Sequence, residues 1–185
     1  MKNAMMRVGI FAVYCLLAVL AAAVFGAAHD QISYTVSPEY YSRFKFIQFG
    51  LEHSALPDRL RAGIVGVGAT WWMGVPLGLL VGLSGFMQRT PGQMWKALSW
   101  SLPGLAGFAL LFALCGLAYG YSQTAQIDLS EYRHWFVPEG LQQIRRFLCV
   151  GYMHNAAYIG GALAVPLGWG QQWLYRRLHR PPIGH

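Results

Sequence analysis

Four stretches of this chain carry no Asp, Glu, Lys or Arg and are each long enough to cross a bilayer: 8–28, 62–83, 98–121 and 147–169. A helix needs about 20 mostly apolar residues to span the hydrocarbon core. No water is available there to satisfy peptide groups, and a helix satisfies its own. The expected fold is therefore all-α: a polytopic membrane protein, a four-transmembrane-helix bundle occupying 1–185 as one domain. Val8 to Ala28 has a competing reading as a signal peptide, with Lys2 and Arg7 before it and Gly26-Ala27-Ala28 as the cut. It is longer than a signal core of about 7–15 residues, so it is read as a retained span. Cleavage after Ala28 would expose His29 as a new N-terminus, whose amine and imidazole could chelate copper.

Only 11% of residues are charged and 55% are hydrophobic, against about 25% charged in an average soluble domain. The net charge of +7 raises nucleic acid as a partner, but its distribution argues against it. All seven acids fall in two stretches, as Asp30, Glu39, Glu52 and Asp58, then Asp128, Glu131 and Glu139. Seven bases share those stretches and neutralise them. The remaining bases (Lys2, Arg7, Arg89, Lys96, Arg176, Arg177, Arg180) have no acidic neighbour. An excess of Lys and Arg marks cytoplasmic segments, so the N-terminus, the middle turn and the C-terminus are expected inside and the two mixed-charge loops outside. That topology suits a bacterial inner membrane with loops facing the periplasm. Cys15, Cys115 and Cys149 lie in apolar runs without C-x-x-C spacing and read as small buried hydrophobes.

The outer loops carry helix signals. Ser37-Pro38-Glu39 offers an N-cap, a proline at the first helical position and an acid in the first turn. Glu39 and Arg43 are spaced to pair. The rings of Tyr40, Tyr41, Phe44, Phe46 and Phe49 predict a short helix lying at the outer membrane interface. Pro138-Glu139 predicts a second helix start, running on into the fourth span.

The halves 1–88 and 97–176 resemble one another. At an offset of 90, Val75-Pro76-Leu77-Gly78 matches Val165-Pro166-Leu167-Gly168, and Gly66, Thr70, Gly74 and Gly78 match Ala156, Gly160, Ala164 and Gly168. The loop match, Pro38-Glu39 with Pro138-Glu139, needs different spacing. Each half is then a hairpin with a short outer helix, the two related about the membrane normal. Small residues at every fourth position let helix backbones approach closely, and the second and fourth spans are expected to touch through these stripes. Pro76 and Pro166 are expected to kink their helices. Of Trp71 and Trp72, adjacent on one helix, at most one is expected to face the interior.

The candidate site is polar and near the outer face. His154 sits within the fourth apolar run, where an ionisable group must face the protein interior or water. His29 closes the first span beside Asp30. A carboxylate next to one imidazole and in reach of another would orient both. His29, Asp30 and His154 are thus candidate metal ligands, with Glu52, His53, His134 and Asn155 as further polar or ligand residues. The same cluster also reads as a closed hydrogen-bond network, or as a site for a lipid, quinone or small solute lined by Tyr34, Tyr40, Tyr41, Tyr119, Tyr121, Tyr152 and Tyr158. Imidazole and carboxylate donors suit Cu, Zn or Fe. Haem with His29 and His154 as axial ligands is disfavoured by His29's expected place at a helix end.

Catalytic signatures are missing: no phosphate-binding glycine loop, no H-E-x-x-H and no G-x-S-x-G. The expectation is a non-enzymatic binding or accessory protein with a polar site on its outer side. The alternatives are a metal- or haem-dependent redox protein, and a small transporter or channel subunit acting as an oligomer. Expected partners are membrane lipids, further copies of the chain or other membrane proteins.

Overall fold

The computed structural model describes residues 1–126 and 128–179. It is 83% helical, with no strand among the described residues. Four helices are long and apolar enough to cross a membrane: α1 (Lys2–Val36), α2 (Asp58–Met87), α3 (Pro91–Gln123) and α4 (Ile144–Leu178). Their outward Leu, Val, Ile and Trp side chains are exposed, as suits contact with lipid. By length and composition the four helices suit a multi-pass membrane protein.

Each helix overshoots its apolar run. α1 continues past Ala28 because no residue breaks it before Pro38. A residue preceding proline is driven out of the helical region, and Ser37 is extended (φ −143°, ψ 93°). His29 and Asp30 are therefore interior helical residues, where a helix end was expected. α3 starts with Thr90 as N-cap, its hydroxyl accepting from the Gln93 amide, and Pro91 at the first position. In α2 the missing amide of Pro76 is felt one turn earlier, where Trp71–Met73 tightens into a 3₁₀ turn. Trp71 and Trp72 are 49% and 53% exposed, so both face outward and neither packs inside. α4 stays α-helical through Pro166.

Long-range contacts define two ends. Arg7 donates to the carbonyls of Gln88 (2.8 Å) and Arg89 (2.6 Å). Gln88 donates to the Gln172 carbonyl at 2.8 Å, and Gln93 to that of His179 at 3.4 Å. The start of α1, the α2–α3 turn and the end of α4 thus meet at one, basic, end. At the other end Arg145 donates to the Tyr121 carbonyl at 2.9 Å. Glu39 there accepts from the backbone amides of Gln142 and Gln143 at 2.9 and 2.7 Å.

Packing is closest within each hairpin. A Cβ added to Gly26 would lie 2.2 Å from the Gly66 carbonyl oxygen, so the α1 and α2 backbones touch there. Thr70 donates to the Ala22 carbonyl at 2.7 Å, and Gly74 and Gly78 back onto Val19 and onto Ala18 and Cys15. In the second hairpin Gly116 meets Ala156, and Gly160 meets Ala109 and Phe112. The expected docking of the α2 stripe on the α4 stripe is thus corrected. Each stripe lies mainly on the preceding helix, where Gly26 and Gly116 remove the opposing side chain, and only Gly168 also reaches α2. Between hairpins the contact is sparser, through Gly168 on Val81 and Trp169 Nε1 donating to the Leu80 carbonyl at 2.9 Å.

The α1–α2 connection begins as expected, with Ser37 Oγ accepting from the Tyr40 amide. It then widens into a π turn, Tyr41–Lys45. Tyr40, Tyr41 and Phe46 are 6%, 0% and 1% exposed and pack with Ala62, Val65, Phe147 and Val150. The segment is a plug over the ends of α1, α2 and α4, where a helix lying along the interface was expected. The widened turn also removes the expected Glu39–Arg43 pair, and Glu39 caps the approach to α4 instead. The second loop differs too. Pro138 and Glu139 begin no helix, because Gly140 adopts a left-handed conformation (φ 72°) that closes a turn, and α4 starts only at Ile144.

Candidate functional site

His29 and Asp30 are 4% and 3% exposed on α1. Consecutive helical residues point about 100° apart. Both are buried because the 38–48 plug covers one side of α1 at this height and α4 another. His154 comes in from α4, two turns after Phe147. Its ring meets that of His29 edge-on, with centroids 4.7 Å apart. Tyr40 of the plug stacks on the other side of His154 at 5.0 Å and 29°. Phe25, one turn before His29, packs against it at 5.7 Å.

The hydrogen bonds set the roles of the ring nitrogens. His29 Nδ1 faces Asp30 Oδ1 at 3.0 Å, and a nitrogen facing a carboxylate donates. His29 Nε2 is buried with no partner. His154 Nδ1 donates to the Val150 carbonyl at 3.0 Å, four residues back on α4, and its Nε2 lies 3.4 Å from Asp30 Oδ1. One ligand atom from each of the three residues lies within 4.8 Å of the others. Ser33, one turn beyond His29, shares a hydrogen bond with the Tyr41 hydroxyl. Burial, and the nearby Asp30 charge, push the Tyr41 phenol well above its ordinary value. Burial does the same to Tyr40, so both rings stay neutral.

Below the cluster, between the two hairpins, is a mostly apolar cavity of about 110 Å³. Ala18, Ala22, Leu105, Ala109 and Ala157 are among its walls. It reaches down to Tyr14, whose hydroxyl lies 2.9 Å from Ser101 Oγ.

The other candidates are dispersed. Glu52 and His53 are exposed in the α1–α2 connection, away from the cluster. His134 and Asn155 are exposed and line a second, outward pocket that His154 also borders. Sequence reasoning missed Ser33, the stacking role of Tyr40, the Tyr14–Ser101 pair and Lys45. A usable signal existed for Ser33: Phe25, His29 and Ser33 repeat every fourth position, the spacing of one helix face. Tyr40 and Lys45 gave none, because a π turn changes which residues face inward.

Chemically the arrangement offers two imidazoles and a carboxylate in a water-poor pocket. One ring nitrogen is uncommitted, and another imidazole is oriented by a backbone carbonyl. Comparison with known proteins finds no matching family model, no similar curated protein and no similar solved structure.

Proposed function

We propose that this chain is a non-enzymatic binding protein of the bacterial inner membrane that holds one divalent transition-metal ion, zinc or copper, at His29, Asp30 and His154. The observation that carries the reading is the convergence of three donors of the right kind. Around a zinc with bonds of about 2.0–2.1 Å, tetrahedral ligand atoms lie about 3.3 Å apart. The contacts of Asp30 Oδ1, at 3.0 and 3.4 Å, fall near that spacing. The Nδ1–H bond from His154 to Val150 is the outer-shell contact that metal-ligating histidines usually make. Haem suits the cluster poorly, since axial histidines need a macrocycle between them and these rings touch edge to face. The mixed-charge end, with the site beneath it, faces the periplasm in this reading, and both termini face the cytoplasm.

The test is metal titration of untagged, chelator-stripped protein in neutral detergent. One zinc or copper ion per chain is expected, with affinity falling roughly 100-fold or more in His154→Ala. A wild-type chain that binds no stoichiometric metal, or a His154→Ala chain that binds it equally, defeats the reading.

The packing favours a duplicated four-helix bundle. The contacting pairs Gly26–Gly66, Ala22–Thr70 and Cys15–Gly78 recur 90 residues on as Gly116–Ala156, Phe112–Gly160 and Leu105–Gly168. The helices keep one offset without insertions, and only the loops depart from it.

A further inference from the structure

At the mixed-charge end a second pocket, of about 340 Å³, opens between the 38–48 plug, the start of α4 and the 134–136 stretch. Lys45, His134, Asn155 and Tyr158 contribute polar groups to it, and Phe44 and Phe136 are among its aromatic walls. Lys45 is only 8% exposed. Its Nζ donates to the neutral Gln48 side chain at 3.0 Å and lies 4.7 Å from the Phe44 ring centroid. Among the described residues no carboxylate is within ion-pair distance of it. Its nearest acidic influence, Asp30, is committed to two imidazoles. A buried charge without a counter-charge is expensive and is found where something else supplies one. Lys45 also closes a π turn, a local geometry that recurs at functional sites.

From these observations we propose that the pocket binds the anionic head of a single-chain amphiphile, a carboxylate or a phosphate monoester, with Lys45 as its counter-ion. His134 and Asn155 supply hydrogen-bond donors at the rim. The aromatic walls take the first carbons of the chain. Phe136, 64% exposed at the mouth, continues that apolar surface toward the level where lipid head groups lie. A bare inorganic ion would leave half of this lining without a partner, so an amphiphile is the better fit. The site stands apart from the metal cluster, although His154 borders both.

Calorimetric titration in neutral detergent, with octanoate, octyl phosphate, octanol and acetate as probes, tests the assignment. Octanoate or octyl phosphate should bind saturably, one per chain, and octanol and acetate should bind at least about tenfold more weakly. The relative affinities of the two anionic probes separate a fatty-acid source from a phosphate one. Lys45→Met should lose roughly tenfold or more in affinity, the value of a charge-assisted bond, and Lys45→Arg should keep most of it. His29→Ala, which borders only the deeper cavity, should bind the probes like wild type while losing metal. Octanol or acetate binding as tightly as octanoate overturns the proposal. So does Lys45→Met retaining full affinity, or the wild type showing no saturable binding. Because the probe comparison is made on the wild type, misfolding of one variant does not blunt the test.

Discussion

Asp30 faces His29 Nδ1 and His154 Nε2 through the same oxygen, which limits what that position tolerates. Asp30→Asn keeps the volume but removes the charge, and its amide can point a donor at an N–H. A loss of about 1.5–3 kcal/mol is expected for hydrogen bonds to a buried charged group, read as a lower thermal midpoint in detergent, together with weaker zinc binding. Tyr40 separates packing from hydrogen bonding. Its ring stacks on His154 and packs on Phe147, while its hydroxyl makes no hydrogen bond among the described residues. Tyr40→Phe should therefore stay close to wild type in thermal stability, and Tyr40→Ala should lose about 3 kcal/mol or more. Lys45 gives a pH signature. Burial lowers it from the ordinary 10.5, so in the window just below 10.5 the unfolded chain holds a proton that the folded chain has released. Unfolding free energy must then rise with pH through that window. Thermal unfolding followed across alkaline pH should show this slope in the wild type and not in Lys45→Met.

Among the elements, α1 and α2 are joined by backbone contact. Gly26→Val places carbon where the Gly66 carbonyl already sits, and neither backbone can yield without parting the hairpin. Overpacking of this kind costs about 1–3 kcal/mol and occasionally more, measurable as a drop in thermal midpoint. Gly9→Val, which meets nothing within 4 Å, should leave it unchanged. Helices of this kind are easily read in a sequence, because an uncharged run of membrane-spanning length has few alternatives in lipid. The ends are harder. The same Pro-Glu pair appears at Pro38-Glu39 and at Pro138-Glu139, yet only the first starts a helix, since Ser37 caps it while Val137 offers no cap and Gly140 turns the second aside. Which helix a glycine stripe would meet was also hidden, because the stripe marks a face and the partner depends on where Gly26 and Gly116 lie on the neighbours. The His29–Asp30–His154 grouping was legible from depth and residue type. The plug that closes it was not, because a π turn leaves no mark in residue spacing.

The whole molecule has one basic end and one end of mixed charge, and a bilayer separates them in the proposed topology. With the native cysteines replaced, Glu52→Cys and Glu131→Cys should react with a membrane-impermeant maleimide applied outside intact cells. Arg89→Cys and Arg176→Cys should react only after permeabilisation. Labelling of Glu52→Cys and Arg89→Cys from the same side would overturn the topology.

The contact of Gly26 with Gly66 also bears on timing in the life of the chain. The bond after Ala28 lies in helical backbone, one turn or less from that buried glycine, and peptidases work best on exposed, extended chain. Once α1 and α2 have zipped together, a cut there would require them to be prised apart first. Closure of the α1–α2 hairpin therefore shields the bond after Ala28 from cleavage.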